Sequence, residues 1–195
     1  MSNQNFQVYL YPDTAKTQTA FQNLMPKLSF PLRTKGEQTT RVVGHQISPS
    51  NNPAFRPVAH PTWSLTLQPS EFVQSLIPPA SRGPIASFGK VLGNRTTLYK
   101  YLNPRLFTVL TSIPEKAKCG LYVVDSMKGT ILYRVEVNAT SIARRCQMKA
   151  VLVENWLVYH YYESESGDGR AKGYRVVSVE FYEGQGIDEK TKRFA

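Results

Sequence analysis

From residue 106 onward the apolar positions fall into runs of strand length, dense in β-branched and aromatic residues and closed by polar clusters. Residues 106–111, 120–124, 130–137, 150–153, 156–162 and 174–182 are predicted strands on this pattern. Asp125-Ser126-Met127-Lys128-Gly129 is polar, ends in glycine and reads as a tight hairpin turn. Residues 164–173 are polar and glycine-containing and read as the loop before the last strand. Within 156–162, alternation sets Tyr159 and Tyr161 on one face and Val158, His160 and Tyr162 on the other. Aromatic and apolar residues on both faces suit a sheet packed between two layers; an exposed protein-binding patch is the second reading.

The first half is less regular. Residues 6–11, 41–47 and 63–67 are predicted strands, and 34–40 and 48–61 read as loops. Residues 70–77 allow two readings. Ser70 could cap a short helix with Glu71 in its first turn and Phe72, Val73, Leu76 and Ile77 on one face, or the run is a strand. Proline marks the division. All 13 prolines lie at or before Pro114, and 11 of them at or before Pro84. Proline removes a ladder donor and fixes φ, so the proline-free end should be nearly continuous sheet. Helix should occupy less than about a quarter of the chain.

A faint repeat joins the strands. Tyr101-Leu102-Asn103-Pro104-Arg105-Leu106-Phe107 lies above Val153-Glu154-Asn155-Trp156-Leu157-Val158-Tyr159, and Gly120-Leu121-Tyr122-Val123-Val124 above Gly173-Tyr174-Arg175-Val176-Val177. A period near ~50 residues with about four strands suits the blade of a β-propeller. The expected fold is all-β, with antiparallel blades of a partial propeller; a β-sandwich is the alternative. Residues 1–85 form an incomplete, proline-rich blade, 86–140 one blade-like unit, and 141–195 another with a polar tail.

Composition narrows the function. The 195 residues suit one domain or part of a larger one, and 41% hydrophobic content suits a packed core. No apolar run reaches the ~18–20 residues of a membrane span. The first residues lack the basic start and apolar stretch of a signal peptide. The net charge is +10, yet Lys and Arg are scattered singly apart from Arg144-Arg145 and Lys192-Arg193. That pattern favours solvated surface charge, then an acidic protein or lipid partner, and nucleic acid last.

Candidate chemistry is sparse. Cys119 and Cys146 are not in a C-x-x-C pattern, so neither a zinc site nor a thioredoxin-like motif is available. His45, His60 and His160 lack metal-ligand spacing; the first two fall in or beside loops. No nucleophile elbow or phosphate-binding loop occurs. Glu163, Glu165 and Asp168 share one polar loop, where solvation accounts for them. No catalytic, cofactor-binding or metal residue is assigned. Asn94-Arg95-Thr96 and Asn138-Ala139-Thr140 are N-x-[ST] sequons at turn-like positions, so Asn94 and Asn138 are candidate glycan acceptors in a secretory compartment.

Three motifs and an upstream strand carry a family resemblance. Val91-Leu92-Gly93-Asn94-Arg95-Thr96-Thr97-Leu98-Tyr99-Lys100-Tyr101-Leu102-Asn103-Pro104 resembles a signature of subunit 1 of the ER membrane protein complex. Glu154-Asn155-Trp156-Leu157-Val158-Tyr159 and Glu180-Phe181-Tyr182-Glu183-Gly184 resemble two further elements of that family, in order, and Thr62-Trp63-Ser64-Leu65-Thr66-Leu67 an upstream strand. The resemblance implies a luminal region of β-propellers in a membrane-anchored protein. That protein scaffolds a complex inserting tail-anchored and multi-pass proteins into the ER membrane. It implies other subunits as partners, with membrane-protein clients as further ones, and supplies no catalytic residues or cofactor. The chain then reads as an excised luminal piece, with Met1 an introduced start. Competing readings are a fragment of a cofactor-dependent propeller enzyme, which would show cofactor absorbance, and a basic polyanion binder, which would show steep salt dependence.

Two expectations follow from an open arc of blades. Unpaired faces and edges should promote self-association at high concentration. Cys119 should begin the third strand of one blade and Cys146 lie near the first strand of the next. With strands ~4.8 Å apart, that in-plane order separates them beyond the ~7 Å Cα limit for a bridge, so no disulfide is expected.

Overall fold

The computed structural model describes residues 5–35, 40–49, 56–80, 83–139, 141–142, 145–163, 172–184 and 186–194. They divide into two compact units: Met1–Pro69 with Ser126–Thr130, and Ser70–Asp125 with Ile131–Ala195.

The first unit holds β1 (Phe6–Gln7), helix α1 (Ala15–Leu24), β2 (Ser29–Lys35), β3 (Thr40–Ser48) and β4 (Val58–Thr66), in an antiparallel sheet ordered β1-β4-β3-β2. The Thr14 hydroxyl caps α1, accepting from the Thr17 amide at 3.2 Å. The helix was not legible: it buries no residue fully, and its polar composition carries little amphipathic signal. β1 is shorter than expected. β2 was not expected, and β4 starts inside the stretch read as a loop. Both contain a proline that normally argues against a strand. Pro31 sits in the sheet-edge strand β2, and Pro61 lies beside a bulge at Gly44/His45, two places where a missing N–H costs little.

His45 lies in β3, within the expected strand, and His60 in β4 rather than in a loop. His45 is fully buried, stacked on Phe30 with centroids 5.6 Å apart and met edge-on by Phe6 at 5.2 Å. Trp63 donates from Nε1 to the Ser126 carbonyl at 2.8 Å, and its ring lies against Gly44 and Gly129. At Gly129 (φ +69°) an added Cβ would come within 2.7 Å of that ring, so the predicted hairpin turn needs its glycine twice over.

The second unit holds β5 (Phe72–Ile77), β6 (Gly89–Val91), β7 (Thr97–Tyr99), β8 (Leu106–Ile113), β9 (Lys118–Asp125) and β10 (Ile131–Asn138). It continues with β11 (Ser141–Ile142), β12 (Arg145–Cys146), β13 (Met148–Val153), β14 (Trp156–Glu163), β15 (Gly173–Tyr182) and β16 (Gly186–Phe194). Residues 70–77 thus resolve as a strand. Two antiparallel four-stranded meanders result, β5-β8-β9-β10 and β13-β14-β15-β16. A short hairpin, β6-β7, is inserted between the first and second strands of the first meander.

The two meanders pack face to face. Leu106, Leu110, Leu121 and Val123 of the first share one core with Leu152, Leu157, Tyr159 and Val179 of the second. β8 is buried at all eight positions, so it is covered on both faces. Below Gly120, the fully buried Glu71 accepts from the Thr111 hydroxyl at 2.5 Å and the Tyr122 hydroxyl at 2.8 Å. Burial, then the Glu71 carboxylate, push the Tyr122 hydroxyl well above the usual tyrosine range. Glu163 is not solvated as expected; it is buried and paired with Arg175 at 2.8 Å. Glu165 and Asp168 lie outside the described residues.

Cys119 and Cys146 form a disulfide, contrary to expectation, with Cα atoms 5.7 Å apart. The error lay in treating consecutive blades as in-plane neighbours. They stack face to face, and β12, which leads into the second meander, lies against β8 of the first before β13 begins. The side chain of Gln74 in β5 holds that crossing, donating to the Cys146 carbonyl at 2.9 Å and accepting from its amide at 3.0 Å. Cys146 thereby sits over the buried face of the first sheet rather than in the plane of the second.

Candidate interaction site

The three segments singled out in the sequence meet in space. The connection from β5 to β8 leaves its own sheet and pairs with the second meander. The Tyr101 amide donates to the Phe181 carbonyl at 3.0 Å and the Glu183 amide to the Tyr99 carbonyl at 2.9 Å, with a bridge between Lys100 and Tyr182. Lys100 Nζ reaches Glu154 Oε2 at 3.1 Å. Asn155 closes the cluster from the β13–β14 turn, its Nδ2 donating to the same Phe181 carbonyl at 3.1 Å while its own carbonyl accepts from the Phe181 amide at 2.8 Å. The Tyr182 hydroxyl donates to Glu180. Glu154 carries φ +52°, a left-handed turn conformation.

The faint repeat has a physical basis here. Asn103 precedes β8 and donates from Nδ2 to Asp125 Oδ2, at the end of β9, at 2.6 Å. Asn155 precedes β14 and donates to Phe181, near the end of β15. In each meander an asparagine at the head of the second strand ties the tail of the third.

This clasp binds strands to one another: Glu154 meets a lysine, Glu180 a tyrosine hydroxyl and Asp125 an asparagine amide. Among the described residues, no group of three His, Cys, Asp or Glu is set to hold a metal ion. No helix of the described residues is long and apolar enough to cross a membrane.

Accessible apolar surface is found, among other places, on the outward face of the second meander. Register places Val151 against Val158, Val153 against Trp156 and Tyr162 against Tyr174, all on the face opposite the core. Trp156 is 43% exposed and Tyr174 59%, with Val151 and Val153 also exposed. Tyr162 and Tyr174 meet edge to face at 5.1 Å. Strand alternation had placed Val158, His160 and Tyr162 together on one face, but the sequence reading expected that face to be packed. Among the described residues, Val151, Val153, Trp156 and Tyr174 are exposed on it, with Val158 and Tyr162 half-buried.

The sequon residues are both exposed. Asn94 lies in the β6–β7 turn, and Asn138 is the last residue of β10. Glu71, buried in the first meander, and the half-buried Gln74, which holds the crossing at Cys146, were not recognised as structural polar residues. A strand reading of 70–77 would have set each among apolar neighbours.

The family model described as "ER membrane protein complex subunit 1, second beta-propeller" matches residues 1–194. The chain is similar to ER membrane protein complex subunit 1 of Schizosaccharomyces pombe, 36% identical over 128 residues, covering 66% of this chain and 14% of that protein. It is also similar to the Xenopus laevis protein of that name, 34% identical over 51% of this chain and 10% of that protein. The Saccharomyces cerevisiae protein of that name is 34% identical over 53% of this chain and 13% of its own length. The chain thus spans about one seventh or less of these relatives, and the stacked meanders are the structural form of the match: it belongs to the family of ER membrane protein complex subunit 1, within that subunit's second β-propeller.

Proposed function

We propose that this chain is a non-catalytic scaffold module on the luminal side of the ER membrane, within a complex that inserts tail-anchored and multi-pass proteins. The observation that carries the reading is the open apolar face of the second meander. In a propeller each blade is covered by the next. A face bearing Val151, Val153, Trp156 and Tyr174 therefore calls for a further sheet, supplied by the remainder of the longer protein. Closing the ring would fix the arc as a rigid platform for other subunits. The buried Cys119–Cys146 disulfide supports the luminal side, where the environment is oxidising.

The test uses the full-length protein in its complex. Trp156→Lys and Tyr174→Lys change exposed residues, so folding of the chain itself should hardly respond, within about 0.5 kcal/mol. The same changes should lower recovery of the other subunits on affinity purification. Unchanged recovery with both substitutions combined would remove the scaffold reading of this face. In the isolated chain, the same face should drive association at high concentration, and a strict monomer by light scattering would count against it.

A further inference from the structure

We propose that Asn94 carries an N-linked glycan, which shields the β6–β7 hairpin from solvent. The inference rests on the luminal reading above and adds a modification site to it. β6 and β7 pair in register, Gly89 with Tyr99 and Val91 with Thr97, and the turn between them holds the sequon. The Thr96 amide donates to Asn94 Oδ1 at 3.1 Å, and the Thr96 hydroxyl to the same oxygen at 2.6 Å. This turn sets the sequon hydroxyl against the acceptor amide, and both bonds fall on oxygen, so Nδ2 takes no part in them. The Leu92 amide donates to the Thr96 carbonyl and the Arg95 amide to the Leu92 carbonyl, both at 2.9 Å. The acceptor geometry is therefore built from five consecutive residues and needs no distant part of the fold.

The surface around it gives the modification a physical role. Val91 is 71% exposed and Tyr99 57%, on one face of a two-stranded hairpin, with Leu92 and Phe88 also exposed. A sugar chain rooted at the tip covers apolar surface that a bare hairpin leaves in water. In the transfer, Asn94 Nδ2 attacks the anomeric carbon of an oligosaccharide carried on a polyprenyl pyrophosphate. The carbon–nitrogen bond forms as the carbon–oxygen bond to pyrophosphate breaks; the amide loses one proton and the lipid pyrophosphate leaves with the electron pair. Asn138, exposed at the end of β10, is the second candidate acceptor. Its following residue, Ala139, is buried in the core, and that holds Asn138 against the sheet once β10 forms.

The experiment expresses the full-length protein in a eukaryotic cell and reads the tryptic peptide bearing Asn94 by mass spectrometry before and after endoglycosidase. Glycan on that peptide is expected, lost in Thr96→Ala and retained in Thr96→Ser. A parallel Lys128→Asn variant completes a sequon with Gly129 and Thr130 on the exposed turn and reports the compartment. Modification at position 128 with Asn94 bare would overturn the inference and leave the luminal reading standing. Neither site modified would sink both.

Discussion

The disulfide offers the sharpest quantitative test, because its effect is set by the length of chain it closes. Cys119 and Cys146 are 27 residues apart, and the loop between them contains most of β9, all of β10 and the crossing to β13. Chain-entropy arithmetic for such a loop removes about 12 cal/mol/K from the unfolded ensemble, or about 3.5 kcal/mol at 25 °C. Comparing oxidised with reduced wild type isolates this term from the cavities an alanine would leave. With a urea slope of about 2 kcal/mol/M, reduction should lower the midpoint by roughly 1.8 M. The chain has two tryptophans, Trp63 in the first unit and Trp156 in the second, so Trp63→Phe leaves a fluorescence reporter of the unit that holds the bond. Alkylation of the urea-unfolded, non-reduced chain should label no thiol. Two labelled thiols without reductant would refute the bond, and midpoints agreeing within about 0.3 M would refute the claim that it holds the stacked meanders.

Asn103→Ala and Asn155→Ala should each cost about 1–2 kcal/mol in urea unfolding, since each removes a tie to a third-strand terminus; equal stability to wild type in either would break the structural account of the repeat. Gly120→Ala should cost about 1–3 kcal/mol, because the added methyl meets the Thr111 hydroxyl and comes within 2.9 Å of the buried Glu71 carboxylate; a neutral effect would mean that this network relaxes freely. Burial depresses the His45 pKa in the fold, with His60 lowering it further and the Val43 carbonyl opposing. The unfolded state therefore binds the proton first, and stability should fall as pH drops below about 6.5 towards the depressed folded value. His45→Phe should flatten that slope in the first unit, read by Trp63 fluorescence; an unchanged slope would assign it to other groups.

Strands β8, β9, β10, β13, β14 and β15 were legible because burial on at least one face forces β-branched and aromatic residues into them, whereas the short β11 and β12 and the polar β16, read as a tail, were not predicted. Leu106–Ile113, Lys118–Asp125 and Gly173–Tyr182 each extend one or two residues past their expected limits and no further. The first unit was harder for a local reason. Pro31 and Pro61 occupy strand positions that a single sequence cannot mark as edge or bulge, and α1 lies on the surface without a clear apolar stripe. The three motifs were visible as words but not as a junction. Their meeting depends on backbone carbonyls of Tyr99 and Phe181, whose availability no side-chain pattern records. The disulfide failed for a related reason: strand order was inferred correctly, but stacking of the sheets, which sets the distance, is not written in either sheet alone.

The two meanders are joined reciprocally. The connection between β5 and β8 belongs by sequence to the first meander, yet it pairs with the third strand of the second through Tyr99, Tyr101 and the Lys100–Glu154 ion pair. The crossing that ends at Cys146 leads into the second meander, yet it is fastened to the first by Gln74 and by Cys119. Exposed ion pairs alone would add little. Both lone pairs of the Phe181 carbonyl are instead engaged, by the Tyr101 amide and the Asn155 side chain, so neither partner can be withdrawn without weakening the β15 terminus. Face-to-face packing supplies the bulk of the stabilisation, and these ties fix its register. Thus the second meander's outward face is presented as a preformed surface, and closure by a further sheet need not reorganise the pair beneath it.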